Sequence, residues 1–316
     1  MNTLGIMFHH FHDDVHITGQ GSIDANTFSN ILDYLDEKYI ILNADLYLEK
    51  AINNSLSQNE TCLTFDDSLL CQYEIAVPIL NKRKISAFFF TYSSAFTESP
   101  DYLEIFRYFR NKYFKTIEDY YQEFFDNVES AKIRDYSIHK DNFKSLDYLS
   151  GFPFYTDSDK WFRYLRDIVL INGKYEEIMF KMFNKHKFDI KSASIDLWMN
   201  ENHLEEIFDQ GHIVGLHSYS HPTKMNSLSY RHQKEEYTKN LLHLETILGK
   251  GNIHSMSHPC GSYNKDTIKI LKELGIKIGF RSNMSNKEAI SKFEIPREDH
   301  ANILKDMIKN NENNTL

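Results

Sequence analysis

The 316-residue chain has little cysteine, no block of basic residues and no long apolar run. Its three cysteines, Cys62, Cys71 and Cys260, are odd in number and lack C-x-x-C spacing. That argues against a disulfide scaffold and for a reducing compartment. No stretch approaches the roughly 18 consecutive apolar residues of a membrane-spanning helix. Acids outnumber bases 45 to 36, for a net charge of -9, which disfavours a nucleic-acid or anionic-membrane surface. The opening residues MNTLGIMFHHFHDD have neither a basic region nor an extended apolar core. A secretory signal is therefore not expected, and a cytoplasmic location is. Internal repeats and low-complexity segments are also missing.

What is present is ordinary globular composition, 41% hydrophobic and 26% charged. Short apolar runs recur at 4–8, 39–43, 61–65, 85–92, 212–218, 252–257, 276–280 and 293–296. Amphipathic stretches separate several of them. Residues 25–38 set Phe28, Ile31, Leu32 and Leu35 on one face, and residues 264–275 do so with Ile268, Leu271 and Leu274. Strands alternating with helices predict an α/β fold of parallel βα units, whose chemistry gathers at the C-terminal strand ends. Residues 99–199 break this rhythm. Rich in Tyr, Phe, Lys, Asp and Glu, they read as a helical insertion with helices near 101–130, 141–150, 158–171 and 174–186. Residues 1–98 and 200–305 form the α/β part, and 306–316 a flexible polar tail.

Three strand ends carry candidate chemistry. The run TCLTF stops on two adjacent carboxylates, Asp66 and Asp67, where a surface turn is the bland reading. The run HIVGL leads into HSYSHP, with His217 and His221 four residues apart and Pro222 biasing His221 away from helical conformation. Two histidines and a carboxylate from another strand end have the composition of a metal site with open positions. The third end, SHPCGSYN, has Pro259 and Gly261 at a tight turn whose N–H groups suit an oxyanion, and Asn264 as a helix N-cap. Alone, that loop is a routine strand-to-helix connection.

The series TFDD, HSYSHP and P-C-G-S-Y, in that order and each after a strand, resembles the polysaccharide deacetylases, carbohydrate esterase family four with the NodB-type domain. The resemblance covers roughly residues 1–95 and 200–300. It implies a distorted (β/α) barrel of about seven units, the helical insertion lying outside it. It also implies a metal-dependent hydrolase that removes an acetyl group from an N-acetylated sugar or related amide. With no secretory signal expected and a large insertion, the expected substrate is an amino sugar or glycan precursor of surface polysaccharide biosynthesis. Asp66 would be the general base, and Asp67, His217 and His221 would hold a divalent metal, zinc or else cobalt, nickel or iron. The Cys260 N–H would face the oxyanion, helped by Tyr263, and His258 would replace the Tyr of a Y-P-F-G loop. Ser257 stands where many members have Arg, and the late Leu-x-His that supplies the general acid has no clean match. His300 and the N-terminal His9 or His10 are the candidates for that acid. Arg297 would orient the base or hold substrate. Two other classes fit the same motifs: a hydrolase of another C–N bond or an O-acetyl ester, and a non-catalytic glycan-binding relative. Oligomeric state cannot be read from the sequence.

Overall fold

A computed structural model describes residues 4–98, 100–146, 148, 156–171, 173–282 and 290–313. Among these residues eight strands form one parallel sheet: β1 Leu4–Phe8, β2 Ile40–Ile41, β3 Glu60–Asp66, β4 Phe88–Thr91, β5 Ile213–Leu216, β6 Ser255–Ser257, β7 Ile278–Phe280 and β8 Arg297–Asp299. The order is β7-β6-β5-β4-β3-β1-β8, with the short β2 also paired to β3. A parallel bridge from Phe280 to Ile295, just ahead of β8, nearly closes the ring. The result is the nearly closed, distorted (β/α) barrel expected from the strand–helix alternation. The helices are α1 Ala25–Asp36, α2 Ala44–Ile52, α3 Val77–Arg83, α4 Tyr102–Tyr113, α5 Ile117–Ser130, α6 Tyr136–Ser145, α7 Asp157–Tyr164, α8 Lys174–His186, α9 Ile190–Leu197, α10 Glu201–Asp209, α11 Tyr230–Leu248, α12 Lys265–Glu273 and α13 His300–Asn313.

Two compact units divide the chain. One is residues 1–101 with 194–316 and contains the barrel; the other is residues 102–193 and is helical. The barrel unit resumes before residue 200 because Trp198 bridges Leu69 and the Met199 N–H donates to the Ser68 carbonyl. In the helical unit the stretch expected as one helix over 101–130 is two. Thr116 and Asp119 form a reciprocal capping box that starts α5 afresh. The aromatic residues there pack on one another, as in the Phe109–Phe183 pair at 4.7 Å and Phe124–Phe162 at 4.9 Å. The helix expected at 141–150 runs instead over Tyr136–Ser145, and residues 147 and 149–150 lie outside the described ones. At the C-terminus α13 continues through Asn313, where a flexible tail was expected from 306; Asn310 Nδ2 donates to the Tyr34 hydroxyl.

Period-two alternation along β3 sorts its side chains between the inside and outside of the barrel. Cys62 clusters with Phe88, Phe90, Ile278 and Phe280 inside. Phe65 faces out, stacking on Phe8 and Phe89 and meeting Phe28 of α1 edge-on. Both faces are covered, and all seven residues of the strand are buried. Asp66 shares the parity of Cys62 and Thr64, so its carboxylate turns inward. Asp24 caps α1 by accepting from the Thr27 N–H at 2.7 Å, and Phe28, Ile31, Leu32 and Leu35 are buried as expected. Burying each such side chain contributes about 1.5–3 kcal/mol. In α12 the buried positions are Thr267, Ile270 and Leu271, with Ile268 and Leu274 only half-buried. The packed stripe is centred on the i, i+3, i+4 set from Thr267, not on Ile268. Among the described residues no helix is long and apolar enough to cross a membrane.

Candidate active site

Parallel pairing brings the C-terminal ends of β1, β3, β4, β5 and β6 to one rim, with Phe8 beside Phe65, Asp66 beside Phe90 and Thr91 beside Leu216. After β3 the chain turns sharply. Asp67 and Ser68 have φ of +77° and +55°, conformations that cost an L-residue about 1–2 kcal/mol each. The turn is held by the Asp67 N–H on the Phe90 carbonyl and the Met199 N–H on that of Ser68, at 3.1 and 2.9 Å. It aims Asp67 Oδ1 at His217 Nε2 and His221 Nε2, each 3.4 Å away. In HSYSHP, Ser218 and His221 also have positive φ, +68° and +54°. Pro222 disfavours the right-handed helical region for His221, and the Ser218 hydroxyl accepts the His221 N–H at 3.1 Å. The two imidazoles thereby stand 4.8 Å apart, centroid to centroid.

These three side chains fit a divalent cation. Their candidate ligand atoms all lie within 4.8 Å of one another, and all three residues are buried. Asp67 Oδ1 is buried without a hydrogen-bond partner, an arrangement that costs a carboxylate several kcal/mol unless a cation meets it. Zinc bonds of about 2.0–2.1 Å in a tetrahedron put neighbouring ligand atoms roughly 3.3–3.4 Å apart. That matches the two His–Asp separations. His217 Nδ1 lies 2.8 Å from the Ser257 carbonyl, which can only accept, so the proton sits on Nδ1 and the Nε2 lone pair is free for a metal. The carboxylates and imidazoles here couple electrostatically. Burial pushes the Asp67 carboxyl up, but His221, His217 and His9 outweigh it and hold it well below the carboxylate range. Burial pushes the His217 imidazole down, and Asp66 and Asp67 reverse that, leaving it raised.

Asp66 is built differently. Arg297, fully buried, grips it with two bonds of 2.7 Å, one to each carboxylate oxygen. The same guanidinium donates to Ser257 Oγ, Thr64 Oγ1 and the Arg281 carbonyl, and Ser257 Oγ in turn donates to Asp66 Oδ2 at 3.1 Å. Burial raises the Asp66 pKa, but Arg297, His217 and His9 together lower it to about 2. The carboxylate is thus ionised and fixed. Arg297 reaches it because β8 pairs with β1 at Gly5, whose missing side chain leaves room: a Cβ there would stand 3.2 Å from Arg297 Cγ. The strand proper begins at Arg297, and Ile295 ahead of it pairs with Phe280 as a single bridge. Arg297 is fully buried, and its guanidinium faces the Asp66 carboxylate.

The candidate acids separate. His9 follows β1, and its Nε2 lies 3.8 Å from Asp66 Oδ2 and 3.9 Å from Asp67 Oδ2 with the ring about a quarter exposed. Gln72 fixes that end by donating to the carbonyls of His9 and Asp66. His10 stacks on His9 at 6.2 Å. His300 instead stacks on the outward-facing Phe8, and its Nε2 lies 3.0 Å from the Gly21 carbonyl, with burial lowering its pKa. Of the two, His9 is the one that stands beside Asp66 and Asp67.

The third loop also differs from expectation. His258 is fully buried, donates from Nε2 to the Phe293 carbonyl and has its pKa lowered to about 3, chiefly by burial. It cannot meet a substrate there. Tyr263 stacks on it at 4.2 Å and donates its hydroxyl to Glu294, away from the oxyanion role. Burial and Glu294 push that phenol up to about 12. Cys260 is exposed on this loop, with φ of +51°. Sequence reasoning missed Ser257 and Gln72 as partners of Asp66. The substitution of Ser257 for the family Arg was the one available signal. A separate cavity, lined by Leu4, Tyr34, Lys38 and Asp306, opens toward the start of β1 and contains none of these residues.

A polysaccharide deacetylase family model matches residues 172–279, which hold HSYSHP and the third loop. No curated protein matches the chain. Among solved structures it is similar to the deacetylase PplD of Streptococcus pyogenes, in complex with acetate, at 16% identity, covering 94% of this chain and 91% of that one, TM-score 0.55. IcaB from Ammonifex degensii matches at 15% identity, 93% and 90% coverage, TM-score 0.54. A de-N-acetylase from Aggregatibacter actinomycetemcomitans matches at 12%, 93% and 93%, TM-score 0.54. At such identities these likenesses are of fold. Together with the family-model match over 172–279, they show that the barrel is similar in fold to polysaccharide deacetylases.

Proposed function

We propose that the chain is a divalent-metal-dependent deacetylase that hydrolyses the N-acetyl group of an amino sugar or glycan precursor. The observation that carries this is one rim where Asp67, His217 and His221 converge while Asp66, locked by Arg297, and His9 stand beside them. A cation held by those three side chains, zinc by donor set, would supply Lewis acidity toward the acetyl carbonyl. Asp66, ionised and without freedom to turn, takes the proton from the attacking water. As the carbon–nitrogen bond breaks, His9 delivers a proton to the departing amine, giving acetate and a free amino sugar. The similarity in fold to a protein described as a de-N-acetylase supports an amide over an ester.

The test combines metal analysis with acetate release from a panel of N-acetylated sugars, O-acetylated sugars, and linear and cyclic amides. Asp66→Ala is expected to keep the metal and lose turnover, and His217→Ala to lose both. Equal metal loss in the two variants would sink the division of roles. Release from O-acetyl sugars alone would move the reaction to esters.

A further inference from the structure

Helix α11 presents a polar stripe to the back of the segment His217–His221. Glu236 and Asn240, one turn apart, share a helix face. Glu236 Oε2 accepts the N–H groups of Tyr219 and Ser220 at 3.0 and 2.8 Å, and Oε1 accepts the Ser220 hydroxyl at 2.8 Å. Asn240, fully buried, accepts the His217 N–H at 3.0 Å and donates to the Thr91 carbonyl and Ser93 Oγ at 3.0 and 2.8 Å. From the other side, the Ser93 and Ser94 N–H groups donate to the carbonyls of Ser218 and Tyr219. Ser93 Oγ also lies 2.9 Å from His243 Nδ1, the next residue of the stripe.

Six of these contacts fall directly on a segment of five residues, two of them left-handed and neither a glycine. Such a segment relaxes unless its surroundings over-determine it, and relaxation would separate the two Nε2 atoms that meet at Asp67 Oδ1. We propose that Glu236 and Asn240 are positioning residues that hold His217–His221 in its ligand-presenting conformation, so that Glu236, which touches no ligand atom, sets the affinity of the centre for a divalent cation. This rests on the reading that Asp67, His217 and His221 hold such a cation. Glu236 suits the task because bonds to an ionised acceptor are about twice as strong as neutral ones.

The experiment titrates zinc into the chelator-treated full chain by calorimetry and records the thermal midpoint of the cation-free protein. Glu236→Gln keeps the shape and removes the charge at a half-buried position, so folding is not at risk. Its zinc Kd is expected to rise about 10–100-fold, the usual effect of removing a group that orients a ligand, with the midpoint within about 3 °C of wild type. Ser220→Ala, which deletes one of the three donors, raises Kd less. Glu235→Gln, on the exposed neighbour that pairs with Arg231, leaves Kd unchanged. A wild-type Kd in Glu236→Gln, whatever its midpoint, overturns the positioning role and leaves the metal reading standing. A wild type that binds no zinc, or a His217→Ala that binds as well as wild type, overturns the metal reading itself.

Discussion

Replacing Arg297 with Met should destabilise the protein by about 3–5 kcal/mol, the usual cost of stripping one partner from a buried ion pair. Five hydrogen bonds leave this one guanidinium, two of them to Asp66. The Asp66 pKa gives a second route to the magnitude. It falls from 3.8 to about 2 with the burial penalty already counted. At about 1.36 kcal/mol per unit this is roughly 2 kcal/mol in favour of the folded, ionised state. Because the folded pKa is the lower one, that stability is present above pH 4 and is lost as pH falls toward about 2. The lost bonds to Ser257, Thr64 and the Arg281 carbonyl add to it. The assay is urea unfolding of wild type, Arg297→Met, Asp66→Asn and the double variant, all with chelator. The double variant should be more stable than the two single losses predict, by about 2 kcal/mol. The acid limb between pH 4 and 2 should flatten in Arg297→Met. Arg297→Lys should fall in between, since one ammonium cannot grip both carboxylate oxygens. A loss below about 1 kcal/mol in Arg297→Met, or strict additivity, would refute the pairing as the anchor of Asp66.

Three further outcomes are expected. His9→Ala should lower kcat about 10²–10⁴-fold with zinc Kd little changed; an unaltered kcat would remove His9 as the acid. Chelation should abolish acetate release, and zinc should restore it together with thermal stability that grows with the logarithm of its concentration. Activity persisting in metal-stripped protein would end the metal reading. Gly215→Ala should cost about 1–3 kcal/mol of stability, because its Cβ would meet Ser255 Oγ, the Ser255 carbonyl and Phe90 Cδ1 at 2.6, 2.7 and 2.8 Å. An unchanged denaturation midpoint would show that β5 has room to move.

Much of the barrel could be read locally. Apolar runs bounded by polar residues mark β1, β4, β5 and β7 because strands covered on both faces carry little polar sequence. The metal cluster was legible for a related reason. Parallel strands put all their C-terminal ends on one rim, so residues that close separate runs become neighbours without knowledge of strand order. That rule brought His217 and His221 to the two carboxylates; the choice of Asp67 over Asp66 came from the family resemblance. The helical unit was less legible, since residues 101–130 keep an amphipathic pattern across the break that the Thr116 capping box imposes.

By itself, then, the sequence determined which residues stand at the rim and that two histidines and a carboxylate would meet there. The tertiary structure alone decided which partner each of them has. Arg297 and Asp66 are 231 residues apart and meet because β1 lies between β3 and β8, a strand order that no local pattern encodes. His9 and His300 both follow strands, and only their packing separates them: His9 stands beside the two aspartates, while His300 lies on the outward-facing ring of Phe8. His258 and Tyr263 were placed by the same packing, which buried the first and turned the hydroxyl of the second to Glu294. Side-chain direction depends on parity and on what packs behind each strand end, and both are properties of the assembled barrel.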